Sequence, residues 1–336
     1  AKLPKEIASK VKNGQHLSKD DFVRWQKTLN EKGWMALHWP KEHGGTGWSP
    51  IQKHIFEEEC AEYGAPSVLP FGVNMVAPVI IKFGTEEQKQ KYLPKLASGE
   101  IIGSFCLTEP EAGSDAASLR TTAIKDGDTY VINGTKRYIT NAPEAGVFTV
   151  MARTDPENKR AGGISAFIVE SDTPGITLGK WDKKMGQKGA HTCDVIFDNC
   201  VVPASALIGG VEGIGFKTAM KVLDKGRLHI AAASTAAATR MLDDALRYAV
   251  DRKQFGQPIA SFQLIQAMLA DSKAEIYAAK SMVLDASRLR DEGKDVVTES
   301  SCAKMFATEM CGRVADRAVQ IHGGAGYIAD YGIERF

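Results

Sequence analysis

No two cysteines in this chain are spaced CxxC. The six present, Cys60, Cys106, Cys193, Cys200, Cys302 and Cys311, are dispersed, which argues against a zinc site or a disulfide framework and fits a reducing compartment. HExxH, GxSxG and Walker phosphate loops are also missing, and the glycines at Gly209–Gly215 and Gly323–Gly326 lack GxGxxG spacing, so simple hydrolase and NAD readings lose their support. The seven histidines, His191, His229 and His322 among them, show no metal-like pairing; they read as structural, and no metal is expected. No apolar run approaches the roughly 18 residues that span a bilayer. The start, Ala1-Lys-Leu-Pro-Lys-Glu, has no apolar signal core, so secretion is unsupported and a cytoplasmic protein is expected. A net charge of +1 carries no basic excess of the kind that marks nucleic-acid binding, and acidic ligands would need local basic groups.

What is present is ordinary in amount and ordered in arrangement. A chain of 336 residues, 43% hydrophobic and 25% charged, can bury a large core distributed over two or three structural units. Three textures follow one another. From Ser18 to about Gly99 the pattern is helical: Ser18 caps a run ending near Gly33, Ser49-Pro50 opens another that stops at Gly64, and Thr85-Glu-Glu-Gln88 has capping-box spacing. From Ile101 to about Ile208, short β-branched and aromatic runs at Tyr130, Val147, Ile164 and Val195 are separated by Asp126-Gly127 and Asn133-Gly134. These dipeptides accept the positive φ of tight hairpins and predict an antiparallel β domain. From Gly215 onward helical spacing returns, alanine-rich from Ala231 to Ala238, with long amphipathic runs from Ser261 to Arg290 and from Val296 to Ile321.

The run Phe105-Cys-Leu-Thr-Glu-Pro-Glu-Ala-Gly-Ser-Asp115 leaves the first strand and enters a loop of small residues. Thr108 and Ser114 supply hydroxyls, and Gly113 lets backbone N–H groups approach a flat ligand closely. The same residue types also build ordinary capped loops.

Thr108 to Asp115 reproduces the TEPxAGSD run that begins the β domain of the acyl-CoA dehydrogenase family. Asn133-Gly-Thr-Lys-Arg-Tyr-Ile-Thr-Asn141 resembles that family's NGxKxWIT(N) strand, Arg252-Lys-Gln-Phe-Gly256 its RxxFG turn, and Gln320-Ile-His-Gly-Gly-Ala-Gly-Tyr327 its Q-x-x-GG-x-GY/F segment. Four motifs in order, over essentially the whole chain, imply an α+β fold. It comprises an N-terminal helical domain (1–101), a middle antiparallel β domain (102–210) and a C-terminal helical bundle (211–336). The resemblance also implies FAD as cofactor. Phe105, Leu107, Thr108, Gly113 and Ser114 would surround the flavin ring and pyrophosphate, and Tyr138, Ile139 and Thr140 would complete the isoalloxazine contact. Tyr138 replaces the commoner tryptophan, and either ring can lie against a flavin. Arg252, Gln254, Phe255, Phe262, Gln263, Gln320, Gly323 and Gly324 would reach from a neighbouring subunit to the pyrophosphate and adenine half, making the protein an obligate dimer or tetramer.

On the substrate side, Leu223-Asp-Lys-Gly-Arg227 resembles the family helix lining the thioester pocket. Asp224 and Arg227 become candidates for the CoA part, with a surface ion pair as the alternative, and Ser114 also meets the pantetheine chain. The implied reaction is α,β-dehydrogenation of an acyl-CoA to a trans-2-enoyl-CoA, with electrons passed to an electron-transfer flavoprotein. It needs a carboxylate base beside the substrate α-carbon. One family branch places that base where Gly226 stands; the commoner branch places it in a YEGT-like segment after the residues matching Tyr331 to Phe336. A glutamate beyond Phe336, in a C-terminal domain incomplete here, is therefore expected. Glu109 and Glu334 match neither position. A flavin oxidase or monooxygenase on the same scaffold, or a non-catalytic flavin or acyl-CoA binder, are the alternatives. The stretch Gly33 to Gly47 resembles bacterial members of the family.

Overall fold

In the computed structural model the residues described are 3–336 apart from 13–14, 16, 50–51, 54–55, 57–58, 61–62, 64, 67–70 and 188–189. The side chains of Lys12, Asp224 and Lys225 also lie outside that description, as do Pro50 and Gly64, the ends of the second expected helix. The chain divides into two compact units, Ala1–Val222 and Leu223–Phe336.

The first unit opens on α1 (Lys5–Lys12) and α2 (Lys19–Asn30). Ser18 caps α2 in a reciprocal box with Asp21: the Asp21 N–H donates to Ser18 Oγ at 3.2 Å and the Ser18 N–H to Asp21 Oδ2 at 2.9 Å. A π-helical turn, Gly72–Val76, runs into α3 (Ala77–Phe83), followed by α4 (Glu86–Ser98). Thr85 and Gln88 form the second box, as their spacing predicts. Gln88 does more than cap. Its Nε2 donates to the carbonyls of Ser205 and Leu207, and its Oε1 accepts from Gly209 N–H, tying α4 to the chain that leaves the sheet.

The sheet contains β1 (Gly103–Cys106), β2 (Thr122–Asp126), β3 (Thr129–Thr140), β4 (Val147–Arg153), β5 (Ile164–Glu170), β6 (Ile176–Leu178) and β7 (Thr192–Pro203). Its order is β1-β4-β2-β3-β7-β6, with β5 on β4. Most neighbours are antiparallel, but β1 runs parallel to β4, as does the end of β2, which a hairpin reading of the sequence does not anticipate. Asp126-Gly127 makes the β2–β3 hairpin, with Gly127 at φ +55. Asn133-Gly134 does not make a turn. It lies inside β3 at a register shift against β7, and a Cβ on Gly134 would sit 2.4 Å from Thr121 Oγ1 and 2.7 Å from Thr121 Cα. The glycine permits close backbone approach rather than chain reversal. The core joins Ile132, Phe148, Val150, Phe167 and Val195, with Tyr130 edge-on to Phe167 at 5.0 Å.

The helix α5 (Gly215–Asp251) is divided between the two units at Val222. The second unit continues with a short hairpin, β8 (Lys253–Gln254) and β9 (Gln257–Pro258), then α6 (Gln263–Asp291) and α7 (Val297–His322). Small residues, Ala245, Ala279, Ala303 and Ala307, fill its core beside Met241, Ile276, Met310 and Val314, so the helices can approach closely. Among the described residues, no helix is long and apolar enough to cross a membrane.

Candidate active site

Leu107 to Ser114 leaves β1 and runs beside the C-terminal part of β3: the Arg137 N–H donates to the Thr108 carbonyl at 2.8 Å. Ser104 Oγ donates to the Thr140 carbonyl at 2.9 Å. The strand carries a bulge at this point, with register shifting between Lys136 and Ile139. Tyr138 takes the strain of it, adopting φ +58, a left-handed conformation that is a true outlier for a bulky residue. Bulges re-aim side chains, and this one turns the Tyr138 ring outward, 59% exposed. The Arg137 guanidinium lies 4.9 Å from the ring centroid and its Nη1 pairs with Asp194 at 3.2 Å.

The residues expected around a flavin thus fall into two kinds. Thr108, Gly113, Ser114, Tyr138 and Thr140 are exposed or half-buried along one rim, and a Cβ at Gly113 would meet nothing within 4 Å. Phe105, Leu107 and Ile139 are buried.

Glu109 and Lys136 lie within the same two segments and were not recognised from sequence as partners. Lys136 is fully buried, and its Nζ donates to Glu109 Oε1 at 2.8 Å and to the Leu107 carbonyl at 3.3 Å. Glu109 also accepts from the N–H groups of Arg120 at 2.6 Å and Thr121 at 3.0 Å. Burial pushes the Glu109 carboxyl up, but the Lys136 charge and these hydrogen bonds outweigh it and hold the group below its ordinary value. Burial also lowers Lys136, with Glu109 offsetting part of the effect. The neighbouring Cys106 thiol is raised by the same burial. Strand alternation carries a signal for Lys136: counting by twos from buried Tyr130 and Ile132 places it on the inward face.

In the second unit, Arg252, Gln254, Phe255, Phe262 and Gln263 gather around the β8–β9 hairpin. Phe255 and Gly256 form its turn, at φ +53 and +78; Phe255 is 93% exposed and meets the Phe262 ring edge-on at 6.0 Å. Gln320, Gly323 and Gly324 stand at the end of α7, brought to the end of α5 by Tyr248 stacked on buried His322 at 4.4 Å. Arg227 is half-buried on α5; the Asp224 side chain lies outside the described residues. Gly226 is exposed, and a Cβ there would meet nothing within 4 Å.

Three family models match in succession: the acyl-CoA dehydrogenase N-terminal domain over residues 3–100, the middle domain over 104–200 and the C-terminal domain over 213–336. An acyl-CoA dehydrogenase of Bacillus subtilis is 43% identical over 335 residues, covering 98% of this chain and 87% of that protein. The caffeyl-CoA reductase-Etf complex subunit CarC of Acetobacterium woodii is 43% identical over 306 residues, covering 90% and 80%. Among solved structures, the acyl-CoA dehydrogenase from Geobacillus kaustophilus superposes with a TM-score of 0.90 at 36% identity, covering 99% of this chain and 87% of that one.

Proposed function

Because this chain belongs to the acyl-CoA dehydrogenase family, a family of FAD-dependent oxidoreductases, we propose that it dehydrogenates an acyl-CoA thioester across its α,β bond. The product is a trans-2-enoyl-CoA, and the electrons pass to an electron-transfer flavoprotein. The observation that carries this reading is the bulge at Arg137–Tyr138, which joins the Thr108 carbonyl through the Arg137 N–H and turns an exposed aromatic ring outward in a backbone conformation that costs free energy to hold.

The rim fits an isoalloxazine. It offers an aromatic face at Tyr138, hydroxyls at Thr108 and Ser114, and open backbone at Gly113, a donor set suited to a flat polar heterocycle. Phe105, Leu107, Ile139 and Thr140 complete the surroundings of the flavin. The hairpin group, Arg252, Gln254, Phe255, Phe262 and Gln263, with Gln320, Gly323 and Gly324, serves the pyrophosphate and adenine half in a neighbouring subunit of a homodimer or homotetramer. The nearly complete exposure of Phe255 leaves its ring accessible to a neighbouring subunit. The domains carrying these parts are 1–101, 102–210 and 211–336.

FAD held along this rim would supply the acceptor for the hydride equivalent of the substrate β-carbon. The chain's own residues bind and orient: Ser114 along the pantetheine, Arg227 and Asp224 at the CoA part, with the guanidinium making charge-assisted hydrogen bonds. The α-proton requires a carboxylate. Glu109 does not supply it, since its oxygens are committed to Lys136 and two backbone amides, and Gly226 has no side chain.

The deciding experiment is an absorbance spectrum of the purified protein, repeated anaerobically with acyl-CoA thioesters of several lengths. Flavin that bleaches with one thioester supports the reading, and protein that neither retains nor rebinds flavin overturns it. The relative in a caffeyl-CoA reductase complex favours a second reading, in which the same site works towards saturation. Chemically reduced protein reoxidised faster by an enoyl-CoA than it is bleached by the saturated thioester would select that direction. Turnover in air without an electron-transfer flavoprotein would instead indicate an oxidase.

A further inference from the structure

The ion pair of Lys136 and Glu109 ties together three pieces of backbone that a cofactor loop must keep in register. One carboxylate joins the start of the loop, at Glu109, to its return at Arg120 and Thr121. One ammonium joins the loop's entry, at the Leu107 carbonyl, to β3 immediately before the Tyr138 bulge. Buried Arg153 secures the far end, donating to the carbonyls of Ala117 at 2.9 Å and Leu119 at 3.3 Å. Between these anchors Gly113, Ser114 and Asp115 remain exposed. Stability alone does not explain the pair, because apolar residues of similar volume commonly replace a buried ion pair without loss. An apolar pair cannot, however, hold one carbonyl and two amides. Nor can the charges be exchanged, since a lysine at 109 would face N–H donors and a glutamate at 136 would face a carbonyl oxygen.

We propose that Glu109 and Lys136 are a positioning pair for FAD, presetting the 107–121 loop and the adjoining Tyr138 bulge before the cofactor arrives. This rests on reading that rim as the flavin site. Presetting removes the ordering cost from the binding step, so the pair acts on cofactor affinity without touching FAD itself.

The test uses the full chain stripped of flavin and retitrated with FAD, comparing wild type, Glu109→Gln, Lys136→Met and the double variant E109Q/K136M. Tyr92→Phe serves as control, since it loses a hydrogen bond to Glu170 outside the loop. The double variant leaves no lone buried charge. Its flavin-free thermal midpoint falls less than that of either single variant while its Kd for FAD rises about 10- to 100-fold, the loss expected for hydrogen bonds made by charged groups. FAD affinity within about twofold of wild type, or affinity falling only in step with stability as in Tyr92→Phe, overturns the proposal. Hydrogen exchange on flavin-free wild type tests it without any variant. The Arg120 and Thr121 amides are slow before FAD is added if the loop is preset, and slow only afterwards if it is not. A wild type that binds no FAD refutes the flavin-site reading itself, a result distinct from either outcome for the pair.

Discussion

Substituting Tyr138 separates the cost of the bulge from its use. At φ +58 any residue with a Cβ crowds its following carbonyl, at about 1–2 kcal/mol, and glycine escapes that cost. In an ordinary strand, alanine is more stable than glycine by roughly 0.5–1 kcal/mol. Here the order reverses: Tyr138→Gly exceeds Tyr138→Ala by about 1 kcal/mol, or roughly 2–4 °C in the midpoint of a unit of this size. Both variants lose the Arg137 contact, worth about 0.5–1 kcal/mol at an exposed site. Because the ring is 59% exposed, little apolar burial goes with it, so the glycine variant stays near wild type and the alanine variant falls below it. Both lose the aromatic face offered to the flavin, raising the Kd for FAD roughly three- to tenfold, whereas Tyr138→Trp keeps it. Thermal unfolding of the flavin-free variants and an FAD titration measure the two effects. An alanine variant as stable as the glycine variant would refute the strained backbone, and unchanged FAD affinity in both would remove Tyr138 from the cofactor.

Three further outcomes follow from the same hydrogen bonds and charges. Glu109 is held below its ordinary value of 4.5, so the unfolded chain takes up this proton first on acidification. The stability it confers is full above that value and is lost as pH falls through the folded value. The midpoint gap between wild type and Glu109→Gln should therefore narrow as the pH is taken down through and below 4.5, and a constant gap would mean that the carboxylate is not depressed. Gln88→Leu strips partners from four backbone groups, Thr85 N–H, Gly209 N–H and the carbonyls of Ser205 and Leu207. It should cost about 3 kcal/mol in chemical denaturation, against about 1 kcal/mol for Thr85→Ala; equal losses would reduce Gln88 to a cap. Arg227→Ala should weaken acyl-CoA binding about tenfold, the loss of a charge-assisted bond. Calorimetric titration should show FAD affinity unchanged, and an equal loss of both would place the arginine at the cofactor instead.

Much of the scaffold was legible because its determinants are local. The cap at Ser18 needs only a hydroxyl and the box at Thr85 a hydroxyl with an acceptor three residues on, whereas the reciprocal bond that Asp21 accepts from Ser18 was not read; the long helices of the second unit follow from periodicity. The hairpin at Asp126-Gly127 was readable for the same reason. Asn133-Gly134 was not, because a dipeptide that permits positive φ also permits another strand to approach, and only the position of Thr121 shows which use is made of it. The parallel pairing of β1 with β4 joins residues more than forty positions apart, and no short pattern encodes it.

The candidate site is proposed from motifs and is opaque to local rules, and the two facts have one origin. Tyrosine carries no preference for a left-handed backbone, lysine and glutamate resist burial, and arginine seldom gives its guanidinium wholly to carbonyls; yet Tyr138, Lys136, Glu109 and Arg153 do these things within one loop and one end of the sheet. The buried charges draw on partners distant in sequence, Lys136 on Glu109, 27 residues away, and Arg153 on Leu119, 34 away, beside the nearer carbonyls of Asn158 and Arg160. A fold pays for such conflicts where geometry must be held for a ligand rather than for the core. Elsewhere in the first unit many features keep to local rules, with caps at helix starts, β-branched residues in strands and glycine at the β2–β3 turn, although Gln187 and Asn199 also adopt positive φ. Tyr138, Lys136, Glu109 and Arg153 thus give the proposal of a functional rim at Thr108–Ser114 and Tyr138–Thr140 a physical support that stands beside the motifs that the same residues spell.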